Sequence, residues 1–199
     1  MKKFDGVSDE ELALLYVEGD NRAFDELLNR TQESLFTYIM FVVRDHSLAD
    51  DLFQETFVKV ITKLQKGLYT NSGKFSFWLT RIAHNVIMDW YRSQKGDRII
   101  EPNKDNDLNN LRGASLQDSF RETEMHNAQV LRDVKRIMNA LPAPQREVVY
   151  MRFYQQLSFK EIAALTGVSI NTSLGRMRYA LINMRRIAKD NKIDLYLQA

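Results

Sequence analysis

The chain has 199 residues, 44% of them hydrophobic and 27% charged, with only 8 glycines and 3 prolines, which is a composition that buries a core and is too apolar for a disordered chain. It contains no cysteine, which excludes disulfide frameworks, thiolate zinc sites and cysteine nucleophiles. The net charge of +2 conceals a segregation, with residues 1–57 at −8, 58–93 at +5, 94–127 at −2 and 128–199 at +7, so different stretches of the chain suit partners of opposite charge, and the basic C-terminal stretch is the footprint of a nucleic-acid binder.

Taken in chain order, almost every segment predicts helix. Ser8 with Glu11 three residues on is a capping-box pattern ahead of Leu12, Leu14 and Leu15. Asp20 or Asn21 starts a second helix, with Phe24, Leu27, Leu28, Leu35, Tyr38, Ile39 and Val42 at helical spacing. Ser47 is the expected cap of a third helix, which carries Leu48, Leu52, Phe53, Phe57, Val60, Ile61 and Leu64 and ends at Gly67. After a turn at Ser72-Gly73, a fourth helix is predicted from about Phe75 to Arg92, closed by Gly96. Residues 97–124 lose helical periodicity and are rich in Asn, Asp and Ser, which marks a linker between a domain at 1–96 and another at 125–199. Helix then resumes with Val130, Val134, Ile137, Met138 and Leu141, breaks at Pro142-Ala143-Pro144, and continues over about Gln145 to Tyr154. Ser158 caps a short helix to Leu165, Thr166-Gly167 turns, and a long basic helix runs from about Asn171 to Lys189. The predicted fold class is all-α, two small helical domains joined by a polar linker.

The last two helices form a helix-turn-helix pattern. Ala163 supplies the small residue where two steeply crossing helices touch, Gly167 supplies the residue tolerant of positive φ, and Ile162 and Val168 close a small core. The final helix carries Arg176, Arg178, Arg185, Arg186 and Lys189, with no acid from Asn171 to Lys189. Such a helix places its N-terminal residues at base edges and its cations on phosphates.

In the third helix Asp51, Gln54 and Glu55 share a face, beside an apolar stripe of Phe53 and Phe57. The fourth carries more aromatic residues than one buried face requires. Leu79, Ile82, Ala83, Val86 and Trp90 serve the core, which leaves Phe75, Phe77, Trp78 and Tyr91 wholly or partly surplus. Aromatic rings beside Arg81, Arg92, Lys95 and Arg98 suit single-stranded nucleic acid, where bases stack and cations hold phosphates; the competing use of those rings is ordinary core packing. Asn85 and Asp89, one turn apart, fit surface residues, a buried hydrogen-bonded pair or base readers.

Enzymatic chemistry has little support. His46, His84 and His126 are scattered with no metal-ligand spacing, no glycine-rich phosphate loop is present, and no nucleophile is paired with a base. The expectation is a protein with no catalytic residues, no metal and no cofactor. With no apolar run of about 20 residues, and an N-terminus that turns acidic where a leader would turn apolar, it is expected to be soluble and cytoplasmic, without membrane insertion.

The ordered motifs resemble the extracytoplasmic-function sigma factors of bacterial RNA polymerase. Gly19-Asp20 with Ala23-Phe24, Ala49-Asp50-Asp51-Leu52 with Gln54-Glu55-Thr56-Phe57, and Phe77 to Ala83 with Asn85, Asp89 and Arg92 resemble the second conserved sigma region. Leu141-Pro142, Gln145 to Val148, Met151 to Tyr154, Leu157-Ser158, Glu161-Ile162-Ala163 and Asn171-Thr172 resemble the fourth. The resemblance implies that Asp51, Gln54 and Glu55 dock on the clamp of core RNA polymerase. It implies that Trp78, Arg81, Asn85, Asp89, Arg92, Ser93 and Lys95 open and read the minus-ten element of promoter DNA. It also implies that Asn171, Thr172, Leu174, Gly175, Arg176 and Arg178 read the minus-thirty-five element, and that an anti-sigma factor is a partner, with no small-molecule substrate. The alternative is a helix-turn-helix regulator that acts without being a polymerase subunit. One run departs from the family pattern: Ser173 stands where an apolar residue is usual and Leu174 where a basic one is. The expectation is that Leu174 makes an apolar contact, such as to a thymine methyl, in place of a phosphate contact.

Overall fold

The structure is a computed structural model that describes residues 4–69, 74–96 and 132–193. Every regular element among them is an α-helix: α1 (Asp9–Val17), α2 (Asn21–Val43), α3 (His46–Gln65), α4 (Phe75–Gly96), α5 (described over 132–139), α6 (Ala143–Phe153), α7 (Phe159–Thr166) and α8 (Ile170–Asp190). The expected linker at 97–124 and the turn at Ser72-Gly73 lie outside the described residues. Cα proximity divides the chain into two compact units, residues 1–99 with 160–169, and residues 100–159 with 170–199.

In the first unit, helix starts follow local hydrogen-bonding chemistry. The Ser8 N–H donates to Glu11 Oε2 (2.8 Å) while the Glu11 N–H donates to Ser8 Oγ (3.2 Å), the reciprocal capping box. The Ser8 backbone donor in particular holds the Glu11 carboxyl below its usual range. Asp20 caps α2 by accepting the Arg22 N–H at 3.1 Å. The cap of α3 is Asp45, which accepts the Leu48 N–H at 2.9 Å, and not Ser47. Both are good cap residues; the earlier one starts the helix at His46 and leaves Ser47 inside the first turn. Gly67, in the left-handed conformation at φ 65°, ends α3, with its N–H on the Leu64 carbonyl and the Leu68 N–H on the Lys63 carbonyl, both at 2.9 Å.

α2 buries Ala23, Leu27, Thr31, Leu35, Tyr38, Ile39 and Val42, and α3 buries Ala49, Leu52, Thr56, Val60 and Leu64. These stripes at three- and four-residue spacing pack on each other and on α4, and α1 touches all three. Arg30 fastens the N-terminal segment to α2: its guanidinium donates to the carbonyls of Val7 (2.7 Å) and Phe4 (3.0 Å) and pairs with Glu26 at 2.8 Å. α4 runs four residues past the expected end at Arg92, to Gly96, because the sequence from Ser93 to Lys95 holds no helix breaker. Phe75, expected as surplus, is 1% exposed and belongs to the core, whereas Trp90, expected in the core, is only half-buried.

In the second unit, α6 begins at Ala143, so Pro144 sits in its first turn and does not precede it. The missing proline N–H costs nothing there, since first-turn donors have no intrahelical partner. Arg146, 4% exposed, donates to the carbonyls of Asn139 (3.1 Å) and Leu141 (2.9 Å), which closes the chain between α5 and α6. α6 packs on α8, and Asn183 Nδ2 donates to Gln145 Oε1 at 2.8 Å.

Candidate nucleic-acid and partner interfaces

Three exposed stripes contain the residues singled out from sequence. On α3, Asp51, Gln54 and Glu55 are all exposed. Phe53 and Phe57 lie half-buried beside them, in a ladder of rings whose centroids are 4.9 Å apart for Phe53–Phe57, 5.8 Å for Phe36–Phe53 and 6.4 Å for Phe24–Phe57. The ladder gives the acidic stripe a firm backing. Sequence reasoning passed over Lys59. It pairs with Glu55 at 2.7 Å, a signal available in the i, i+4 spacing, and approaches Asp89 of α4 at 3.9 Å, which no local pattern announces.

On α4, Arg81, Asn85, Asp89 and Arg92 are exposed along one side of the helix, as is Ser93, whose hydroxyl returns to the Trp90 carbonyl at 2.8 Å. Asn85 and Asp89 are therefore not a buried hydrogen-bonded pair; Asp89 bonds Arg92 at 2.5 Å. Trp78 is half-buried at the head of the stripe, held against Tyr69 (4.9 Å between centroids) and Phe75 (5.6 Å). Phe77, Trp90 and Tyr91 are also half-buried, so each leaves part of a ring accessible. Lys95 lies within α4, with its side chain outside the described residues, and Arg98 lies outside them altogether.

The turn before α8 has Gly167 at φ 67°, and the Val168 N–H closes it on the Ala163 carbonyl at 3.1 Å. Ile162 and Ala163 are buried, while Val168, expected to close the core, is half-buried. On α8, Asn171, Thr172, Leu174 and Arg178 are exposed, and Gly175 and Arg176 are half-buried. Ser173 faces inward at 1% exposure, and its hydroxyl is buried with no hydrogen-bond partner among the described residues. Ile170, Tyr179 and Ile182, not singled out from sequence, add apolar surface to this helix, each at least 45% exposed. Among the described residues no cluster of His, Asp and Glu is arranged to hold a metal ion, and no helix is long and apolar enough to cross a membrane.

The Sigma-70 region 2 family matches residues 27–96 and the Sigma-70 region 4 family matches residues 131–174. The chain belongs to the sigma-70 family of RNA polymerase sigma factors, in its extracytoplasmic-function (ECF) group. It is 31% identical over 150 residues to the ECF RNA polymerase sigma factor BldN of Streptomyces coelicolor, an alignment covering 75% of this chain and 54% of that protein. The chain thus spans about half the length of that relative. It is 28% identical over 154 residues to RNA polymerase sigma factor SigZ of Bacillus subtilis, covering 77% of this chain and 80% of that one. The fold is shared with the sigma factor RpoE solved with the anti-sigma factor NepR from Bartonella quintana, at TM-score 0.59 and 22% identity, over 83% of this chain and 96% of that one. It is also shared with CnrH solved with the cytosolic domain of CnrY, at TM-score 0.59 and 24% identity, over 92% and 97%.

Proposed function

We propose that this chain binds core RNA polymerase, recognises promoter DNA and directs transcription initiation without itself catalysing a reaction. The observation that carries this reading is the succession of three chemically distinct exposed stripes in the order of the two sigma regions. The acidic and amide stripe of Asp51, Gln54 and Glu55 suits a basic protein surface and serves as the polymerase contact. The stripe of Trp78, Arg81, Asn85, Asp89, Arg92 and Ser93, continued by Lys95, suits separated strands: a base stacked on an aromatic side chain contributes about 1–3 kcal/mol, comparable to the few kcal/mol that extracting it from the duplex costs. α8, free of acids before its last residue Asp190, carries Asn171, Thr172, Leu174, Gly175, Arg176 and Arg178 and suits the major groove of the minus-thirty-five element. Residues 1–96 form the polymerase and minus-ten domain, 97–124 the connection, and 125–199 the minus-thirty-five domain. The protein acts in the cytoplasm. Two relatives solved with a second protein, one of them named as an anti-sigma factor, support an anti-sigma factor as a further partner.

The test is run-off transcription with purified core polymerase on a library of promoter sequences. The expected result is initiation dependent on this chain at a subset of templates, with co-purification of chain and core. Sequence-specific duplex binding in the absence of core, with no stimulation on any template, would instead establish the free-standing regulator.

A further inference from the structure

α8 contains a glycine, Gly175, for which the described residues show no need of backbone conformation or close packing. Gly175 lies in the helix interior, where glycine is the poorest helix former apart from proline. Its φ is not in the left-handed region, and among the described residues a Cβ built on it would meet no atom within 4 Å. Neither backbone conformation nor internal packing therefore explains the absent side chain. What remains is a close approach of something outside the chain to the helix backbone, a recurrent use of glycine.

The surroundings of Gly175 define what approaches. It lines a groove of about 360 Å³ between the start of α6 and α8, together with Pro142, Pro144, Thr172, Arg176 and Tyr179. The wall is firm, since Gln145 on α6 is tied to Asn183 on α8 at 2.8 Å. Among the described residues Arg176 is the only charged one lining the groove, and every charged residue of α8 before Asp190 is cationic. Proline rings and a tyrosine offer apolar faces to the carbon side of a sugar, and a guanidinium offers a partner to a phosphate.

The geometry points to Gly175 as a residue that sets how deeply α8 seats in promoter DNA. One sugar–phosphate strand of the minus-thirty-five duplex lies in the groove beside it, with a phosphate on Arg176. This inference rests on the sigma-factor reading and deepens it: a side chain at position 175 holds the helix off the base edges that Asn171 and Leu174 meet.

The decisive property is that stability and binding move in opposite directions. In the full chain, Gly175→Ala raises the unfolding midpoint, because alanine is the better helix former and finds open space. Holoenzyme carrying it binds a promoter selected by the wild type at least fivefold more weakly. The loss disappears on a template whose minus-thirty-five element is scrambled. Arg176→Gln lowers the log–log salt slope of promoter binding by about 1, as removal of one phosphate contact requires. Unchanged promoter affinity of Gly175→Ala overturns the inference, and so does a lowered midpoint, which would mean that internal packing needs the glycine. Weaker binding to core with unchanged DNA affinity overturns it in favour of a protein contact. If the wild-type holoenzyme selects no promoter at all, the sigma-factor reading itself fails, an outcome distinct from a promoter-selective wild type matched by its Gly175→Ala variant.

Discussion

Ser173 is two residues from Gly175 but faces the other way, and its replacement by alanine isolates the stability of the unit built on α8. The side chain is 1% exposed, on the stripe that continues through Met177 and Ala180. A helical serine often returns its hydroxyl to the carbonyl four residues earlier, but here Oγ has no hydrogen-bond partner among the described residues. An unpaired buried hydroxyl costs about 1–3 kcal/mol. Ser173→Ala removes that cost, vacates the volume of one oxygen, and adds a few tenths of a kcal/mol (roughly) of helix propensity. The net expected gain is about 1–2 kcal/mol, at about 4–8 °C per kcal/mol for a unit of 60–100 residues. The two tryptophans, Trp78 and Trp90, both lie on α4, so tryptophan fluorescence reports the first unit while far-ultraviolet circular dichroism reports both. The circular-dichroism midpoint should rise for the second unit while the fluorescence transition stays in place. Promoter affinity should not change, because the side chain faces inward. A lowered midpoint would refute the reasoning, since it would mean that the hydroxyl contributes a bond and is not a liability.

Leu174→Lys, on a residue 44% exposed at the outer side of α8, should change minus-thirty-five preference in a promoter-selection assay; on the wild type, replacing thymine by uracil at the contacted position should weaken binding by removing the methyl group. An unaltered preference and indifference to uracil would end the apolar-contact idea. Gln54→Ala, on the exposed face of α3, should reduce affinity for core polymerase about tenfold while unfolding stays within about 0.5 kcal/mol of wild type, the usual range for surface substitutions. Equal loss of stability would indicate a misfolded variant and not a lost contact. Tyr150 is 6% exposed, and burial pushes its phenol above the ordinary value. The folded state therefore holds the proton more tightly than the unfolded one: this contribution is complete below the unfolded pKa of about 10 and is lost as pH rises through the higher folded value. Tyr150→Phe should flatten the alkaline fall of the urea midpoint between about pH 9 and 11, and parallel curves for the two proteins would contradict it.

Much of the local architecture was legible in the residues. Ser8 with Glu11, Asp20, Gly67 and Gly167 mark helix ends through hydrogen bonds made within three to five positions, and their signals survive in any tertiary setting. The errors arose where two local solutions compete. Asp45 and Ser47 both cap helices well, and the earlier residue prevailed. Pro144 reads equally as a breaker and as a first-turn residue, and the helix begins before it. The site residues divide similarly. The exposed faces of Asp51, Gln54 and Glu55 and of Arg81, Asn85 and Asp89 follow from helical spacing. The approach of Lys59 to Asp89 joins positions 30 apart on different helices, and no periodicity encodes it.

The sequence by itself determined the all-helical class, the placing of most helix boundaries, the segregation of charge, and the family, because each of these depends on short-range hydrogen bonding, on period, or on ordered motifs. Only the tertiary structure decided which of the crowded aromatic residues on α4 are core. Phe75 is enclosed while Trp78 and Trp90 are half-buried, although helical spacing assigns Trp90 to the core and leaves Phe75 as surplus. It also separated two neighbours on α8, an inward serine with an orphaned hydroxyl and a glycine facing open space. Burial is a property of what comes to lie opposite a residue, and at Phe75 and Ser173 that is set by residues distant along the chain, while opposite Gly175 the described residues place nothing.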